Sequence, residues 1–249
     1  MSWVREAFGD WYLKLYPHRD AEEARSLVRT LHDVVDLSGR LVLDIGCGPG
    51  RHLVPMRDAG ARPAGVDYSR PLLAEAVRVR AEAGGDWPLV RGDMRALPLA
   101  AGRFDGVTSL FTSFGYFGEE EDTRALREAA RVLRPGGFHL LDFLNPDAVR
   151  AHPTPETERV AGDWRIRETR RIVDGRRVVK RVQVAPRTGG ADVADYEENV
   201  MLYEGDELRD RLAACGLTVR HEWGDYGGGA FHSGSARHLF LSERSGECR

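Results

Sequence analysis

Cysteine is scarce in this 249-residue chain, and the little there is rules out two classes of protein. Cys47, Cys215 and Cys248 form no CxxC pair and no Cys/His ligand set. That excludes a zinc-bound module and a disulfide framework, and predicts a reduced, cytoplasmic protein with no metal site. Long apolar runs are missing as well. No window approaches the ~18 consecutive apolar residues of a membrane-spanning helix, and Met1-Ser2-Trp3-Val4-Arg5-Glu6 contains no signal-peptide apolar region, so neither export nor anchoring in a membrane is expected. An excess of one charge is also missing: 36 Lys and Arg stand against 39 Asp and Glu, a net charge of −3. No global field then favours nucleic acid or an anionic membrane, and neither partner is expected. The arginines from Arg165 to Arg181 alternate with apolar residues, as the wet face of a strand does, rather than forming an RNA-binding stripe. No fixed repeat period is present. One large α/β domain with an elaboration is therefore expected, its oligomeric state left open.

What is present centres on Leu41-Val42-Leu43-Asp44-Ile45-Gly46-Cys47-Gly48-Pro49-Gly50. An apolar run ending in glycines reads as a strand covered on both faces, followed by a tight turn whose backbone can approach a ligand. A nucleotide, a dinucleotide or a nucleoside-like cofactor would suit such a turn. The dinucleotide fingerprint G-x-G-x-x-G would put its third glycine where Arg51 stands, and the Lys-Ser/Thr pair that closes a Walker loop is absent.

In chain order, Trp3, Ala7, Trp11 and Leu15 recur at helical spacing, with Phe8, Tyr12 and Tyr16 one step round the same face. Pro17 stops this helix, and Asp20 is placed to cap a second one lined by Leu27, Val28, Leu31 and Val35. The aromatic helix end Tyr16-Pro17-His18-Arg19 either packs on the sheet or closes over a ligand. After the glycine turn come a helix over Arg51 to Ala59 and a short strand ending in Asp67. In a doubly wound sheet that acid lies beside the first turn, about 20 residues on, where it can accept both ribose hydroxyl protons. The bland role for Asp67 is to cap the next helix, which Ser69 can do equally well. A third strand ends in Gly92-Asp93-Met94, where Asp93 can accept from an exocyclic amine and Met94 can pack on a ring, or where the pair is only a turn.

Phe104 to Phe111 forms a fourth strand with the aromatic loop Thr112-Ser113-Phe114-Gly115-Tyr116-Phe117 at its carboxyl end, where open α/β sheets place their chemistry. A helix from Glu121 to Leu133, the turn Arg134-Pro135-Gly136-Gly137 and a fifth strand, Phe138 to Phe143, complete a mostly parallel sheet. Beyond Asn145 the rhythm changes. Trp164 to Val173, Arg177 to Ala185 and Tyr196 to Tyr203 alternate polar and apolar residues around an Asp174-Gly175 hairpin turn, an antiparallel meander inserted after strand five. A helix over Glu207 to Cys215 and strands over Leu217 to Trp223 and Ala236 to Leu241 return to the core. The chain divides accordingly into a helical cap (1–38), a ligand-binding core (39–144), an antiparallel lid (145–205) and the rest of the core sheet (206–249). The meander and the loop from Asp225 to Gly234 are both expected to wall the ligand edge.

Taken together, these segments resemble the class I S-adenosylmethionine-dependent methyltransferases. Leu43 to Gly50 is similar to that family's first motif, Val66-Asp67-Tyr68-Ser69 to its acidic second motif, and Arg91-Gly92-Asp93-Met94 to its third. Phe104-Asp105-Gly106-Val107 and Arg131 to Gly137 resemble the later ones. Tyr16-x-x-Arg19, the Phe111 to Tyr116 loop and the meander are similar to small-molecule members, including amino-sugar N-methyltransferases, many of which carry a histidine at the Tyr116 position. The resemblance implies a Rossmann-like seven-stranded sheet in the order 3-2-1-4-5-7-6 with its last strand antiparallel. It further implies S-adenosylmethionine as cofactor, with Tyr16 and Arg19 near it. Gly46, Gly48 and Gly50 would border the methionine moiety, Asp67 would hold the ribose, Asp93 and Met94 would receive the adenine and Leu110 would line the methyl-donor side, with Cys47 and Tyr68 also binding the cofactor.

The sulfonium methyl is already activated, so in-line positioning of a small-molecule N or O acceptor at ~3–3.5 Å provides much of the rate. If a proton must be removed, Tyr16 and Tyr116 are the expected bases, with His18 and His232 as further candidates. Two other classes stay open on sequence: a nicotinamide oxidoreductase, disfavoured by Arg51, and a non-catalytic cofactor-binding module, which would lack an acceptor cavity.

Overall fold

Strand β1 (Leu41–Ile45) forms where the apolar run meets the glycine turn, and the sheet grows from it in both directions. The computed structural model describes residues 7–15, 21–151 and 155–246. Tyr16, Pro17, His18, Arg19, Asp20 and Cys248 lie outside the described residues, and with them the expected helix stop and cap and two of the expected site residues. The remaining parallel strands are β2 (Arg62–Asp67), β3 (Leu89–Arg91), β4 (Phe104–Ser109) and β5 (Leu133–Leu144). After them come an insertion, β6 (Glu156–Ala161), β7 (Trp164–Val173), β8 (Arg177–Pro186) and β9 (Ala194–Met201), and finally β10 (Leu217–Trp223) and β11 (Arg237–Arg244). The helices are α1 (Asp10–Leu15), α2 (Ala21–Val35), α3 (Leu53–Asp58), α4 (Arg70–Glu82), α5 (Glu119–Val132), α6 (Pro146–Ala151) and α7 (Gly205–Ala214).

The core sheet runs β3-β2-β1-β4-β5-β11-β10. Counting β10 and β11 as the sixth and seventh core strands, this is the order 3-2-1-4-5-7-6. β11 is antiparallel to both its neighbours. Period-two alternation sends Leu43 and Ile45 to one face and Val42 to the other. Helices α5 and α7 cover the first face with Leu126, Ala129, Leu208 and Leu212. On the second face α2 and α3 pack Leu27, Leu31, Leu53 and Met56. Burial on both faces is what a parallel sheet needs, and it leaves the carboxyl edge as the open one.

Two boundaries differ from the sequence expectation. β5 already pairs at Leu133, because Phe104 meets Leu133 and the register then slips so that Gly106 meets Phe138. Arg134 to Gly137 is therefore a bulge inside the strand rather than a turn before it, held by the Arg134 guanidinium at 2.8 Å from Asp105. The insertion is a four-stranded sheet in the order β6-β7-β8-β9, one strand more than expected. β6 reads Glu-Thr-Glu-Arg-Val-Ala, with alternate residues half-buried at most, so it carries little apolar signal. Asp174 and Gly175 do make the hairpin turn, both at positive φ (50° and 65°).

Candidate active site

Gly46, Gly48 and Gly50 stand at φ 72°, 53° and 83°, in the left-handed region, and turn the chain sharply off β1. The Gly46 and Cys47 amides donate to the Val66 carbonyl at 2.8 and 3.1 Å, which pulls the turn against β2. A Cβ on Gly46 would lie 2.7 Å from the Ser113 Cβ, so the residue must be glycine for the β4 loop to approach. Gly48 is different: a Cβ there would come no nearer than 3.9 Å to any neighbour, so its glycine leaves room rather than avoiding a clash.

Asp67 sits at the end of β2. Its Oδ2 accepts the Gly48 amide hydrogen at 2.8 Å, and its Oδ1 accepts that of Ser69 at 2.7 Å. Burial raises the Asp67 pKa above the ordinary carboxylate value, opposed by these amides. The capping role belongs to Ser69, whose Oγ accepts from Leu72 at 3.2 Å and donates to the Phe8 carbonyl at 2.5 Å. Asp93 is already engaged. It takes a two-pronged contact from Arg95 at 3.0 and 2.7 Å, and this hydrogen bonding holds its carboxyl below the usual range despite partial burial. The Met94 side chain reaches toward Gly46, and the Tyr68 ring carries the Arg91 guanidinium at 5.6 Å. Cys47 is buried with its thiol pushed well up by burial, so it is no nucleophile.

Beyond Leu110 the backbone is strained. Phe111 and Thr112 both hold positive φ, 54° and 60°, unusual for an aromatic and a β-branched residue. Asp142, fully buried on β5, fixes them: its Oδ2 accepts from the Phe111 amide at 2.7 Å and from the Tyr226 hydroxyl at 2.8 Å. Arg237 joins Asp142 to Thr112, with Nε donating to Oδ1 at 2.8 Å and Nη2 to the threonine hydroxyl at 2.7 Å. The Thr112 carbonyl accepts from the Tyr116 hydroxyl, whose ring lies against Phe8 at 5.5 Å. Under the glycine turn, the buried Asp44 accepts from Thr108 at 2.8 Å, and burial lifts its pKa to about 7.

One large cavity, about 1220 Å³, collects these groups. Gly46, Cys47, Gly48, Asp67, Tyr68, Asp93, Met94, Leu110 and Tyr116 all line it, as do Arg51, Phe111 and Thr112, to which sequence reasoning gave no site role of their own, and Arg237, which it passed over. Its far wall is the inserted sheet, through Arg170, Val178, Lys180, Glu198 and Val200, with Phe8 and Tyr12 above. Gly50 is absent from the lining and shapes the turn from behind. The loop from Asp225 to Gly234 contributes no lining residue, a correction to the expectation that it walls the ligand edge. It braces instead, through Tyr226, whose hydroxyl meets Asp142 and whose carbonyl accepts from Ser26 and Thr30 on α2. His232 in that loop is exposed and outside the cavity, which removes it as a base. Asp142 did leave a signal, an acid inside the apolar run Leu140-Leu141-Asp142-Phe143. Among the described residues no group of three His, Cys, Asp or Glu side chains is placed to hold a metal, and no helix is long and apolar enough to cross a membrane.

A cavity larger than the ~300–1,000 Å³ of a usual ligand cleft has room for a cofactor and a second reactant together. Its glycine turn, strand-end carboxylate and separate far wall define a nucleoside-cofactor transferase. Known proteins narrow that class. The family profile described as "Methyltransferase domain" matches residues 42–137. The cypemycin N-terminal methyltransferase of Streptomyces sp is 32% identical over 220 residues, 84% of each chain. The dTDP-3-amino-3,6-dideoxy-alpha-D-glucopyranose N,N-dimethyltransferase of Streptomyces fradiae is 28% identical over 209 residues, 81% of this chain and 78% of that one. Among solved structures, the CcbJ methyltransferase of Streptomyces caelestis superposes with a TM-score of 0.81 at 21% identity, covering 97% of this chain and 99% of that one. The chain belongs to the class I S-adenosylmethionine-dependent methyltransferases. It is an enzyme, and its cofactor is S-adenosylmethionine.

Proposed function

We propose that this enzyme methylates an amine nitrogen of a small molecule in the cytoplasm. The observation that carries the reading is the large cavity with two differently built halves, a glycine-and-carboxylate half and an insertion-walled half. When bound, S-adenosylmethionine supplies an activated methyl group. Gly46, Cys47, Gly48 and Gly50 would border its methionine moiety, Asp67 and Tyr68 its ribose, Asp93 and Met94 its adenine, and Leu110 the donor side. Tyr16 and Arg19 are assigned to the cofactor's vicinity by resemblance. Asp67 fits the ribose role because its two amide contacts leave lone pairs for hydroxyl donors. Asp93 shares its carboxylate with Arg95, so the adenine amine would meet an oxygen already polarised by a guanidinium.

The acceptor half does its work by position. Phe111 and Thr112, locked by Asp142 and Arg237, give the reacting amine a rigid wall, and rigid placement is the main requirement of in-line displacement. Tyr116, which lines the cavity and whose hydroxyl donates to the Thr112 carbonyl, is assigned to meet the amine N–H. Nitrogen is favoured over oxygen by the relatives, named for an N-terminal and an N,N-dimethyl transfer. A small-molecule acceptor fits the chain's balanced charge better than nucleic acid. The test is a screen of amine metabolites followed by S-adenosylhomocysteine release, with Asp67→Ala as the cofactor-site control. Release with hydroxyl acceptors alone, or with none, would overturn the assignment to nitrogen.

A further inference from the structure

The inserted sheet faces the cavity with a row of charge, flanked on β8 and β9 by apolar and aromatic pairs. Arg170, Lys180 and Glu198 stand directly opposite one another across β7, β8 and β9, and all three line the cavity. On one side of this row Val178 opposes Val200; on the other Val182 opposes Tyr196, and from there the face packs on Ala7 and Leu15 of the N-terminal segment. Lys180 Nζ lies 2.7 Å from Glu198 Oε2, each side chain only 15% exposed. Arg170 is held at 2.6 Å by the buried Glu168.

A pair this sheltered adds little to folding, since apolar residues of similar size would pack there at no loss. The residue types also single it out. Nearly every cation in this chain is arginine, and lysine occurs only at positions 14 and 180. A compact ammonium on a flexible stem exchanges partners more readily than a forked guanidinium held by two carboxylate oxygens.

We propose that the Lys180–Glu198 pair is the specificity element of the acceptor half, and that it selects acceptors carrying an anionic group and an amine on one small framework. Such a zwitterion replaces the pair with two new ones, its anion on Lys180 and its ammonium on Glu198, whose carboxylate would take the proton that frees the nitrogen lone pair for methyl transfer. A ligand with one charge engages one member of the pair and costs the other its 2.7 Å counter-ion in a sheltered site, which is unfavourable. The proposal rests on the methyltransferase reading of the same cavity.

The experiment uses the full chain with S-adenosylmethionine and a matched acceptor panel. The panel holds free amino acids, their methyl esters, the corresponding decarboxylated amines and aminoalkyl phosphates, so that the carboxylate and phosphate forms of the anion are distinguished. The free zwitterions are expected to show kcat/KM at least roughly tenfold above the esters and amines. Lys180→Met and Glu198→Gln are each expected to raise KM for the zwitterions by about tenfold or more, with cofactor affinity unchanged, and Lys180→Arg to recover only part of the loss, because it keeps the charge but releases the carboxylate less readily. The exchanged double variant Lys180→Glu/Glu198→Lys keeps a pair on the sheet. It is expected to melt near the parent temperature yet lose the preference for zwitterions. Esters turned over as well as free acids, or a preference that survives Lys180→Met, would overturn the proposal. Cofactor binding without turnover of any panel member would also overturn it while sparing the cofactor reading, whereas failure to bind the cofactor would overturn both.

Discussion

The Asp67 carboxylate accepts the Gly48 amide hydrogen at 2.8 Å, so the acid at the end of β2 holds the glycine turn that follows β1. One residue thus shapes the cradle and offers its remaining lone pairs to the ligand. Removing it costs both, and hydrogen bonds to a charged group are worth about 1.5–3 kcal/mol each. Asp67→Ala is expected to weaken S-adenosylmethionine binding at least roughly tenfold in isothermal titration. Unchanged affinity would take Asp67 out of the ribose role.

Asp44 gives the enzyme a pH signature. Burial lifts its pKa from 3.8 to about 7, so between those values the folded chain holds a proton that the unfolded chain has released. Its contribution is present at acid pH and lost as pH rises toward 7, with a slope of about 1.4 kcal/mol per pH unit from this one group. Asp44→Asn keeps an acceptor for Thr108 and is expected to flatten that part of the profile of unfolding free energy against pH. A variant profile parallel to the parent's between pH 4 and 7 would contradict the assignment.

The glycines of this chain are not equivalent. Gly46→Ala places a Cβ 2.7 Å from the Ser113 Cβ at φ 72°, whereas Gly39→Ala at φ 73° meets nothing within 4 Å. Gly39→Ala is expected to cost only the left-handed backbone term of about 1–2 kcal/mol. Gly46→Ala should cost at least 1 kcal/mol or so beyond that, and should abolish cofactor binding. Urea melts of the two side by side decide it; equal losses would mean that the Ser113 contact is slack.

Asp142 and Arg237 form a buried pair that carries strain. Asp142→Ala leaves the Arg237 side chain, the Phe111 amide and the Tyr226 hydroxyl without their acceptor, at a cost of about 3–5 kcal/mol. Asp142→Ala/Arg237→Leu removes the stranded charge and is expected to recover part of that stability without recovering turnover. A double variant as unstable as the single one would show that the pair is not the source of the loss.

Much of this was legible in the sequence. The glycine turn, Asp67, Asp93 and the aromatic loop lie close together along the chain or at strand ends, so spacing alone locates them. Asp142 showed only as an acid in an apolar run, and Arg237 and Tyr226 were not legible, because their meaning is contact with Asp142 across 95 and 84 positions. β6 escaped because one of its faces is exposed and the other only half-buried, and the Asp225 to Gly234 loop was misplaced because strand polarity says where a loop leaves a sheet, not which way it folds back. The charged row of the insertion was visible only as alternation; register turned it into a cavity wall.

The central claim is most directly tested by titrating the full chain with S-adenosylmethionine, then with S-adenosylhomocysteine, in a calorimeter. The account expects saturable one-to-one binding of both, reduced at least roughly tenfold by Asp67→Ala. No heat and no thermal shift with either ligand would contradict it.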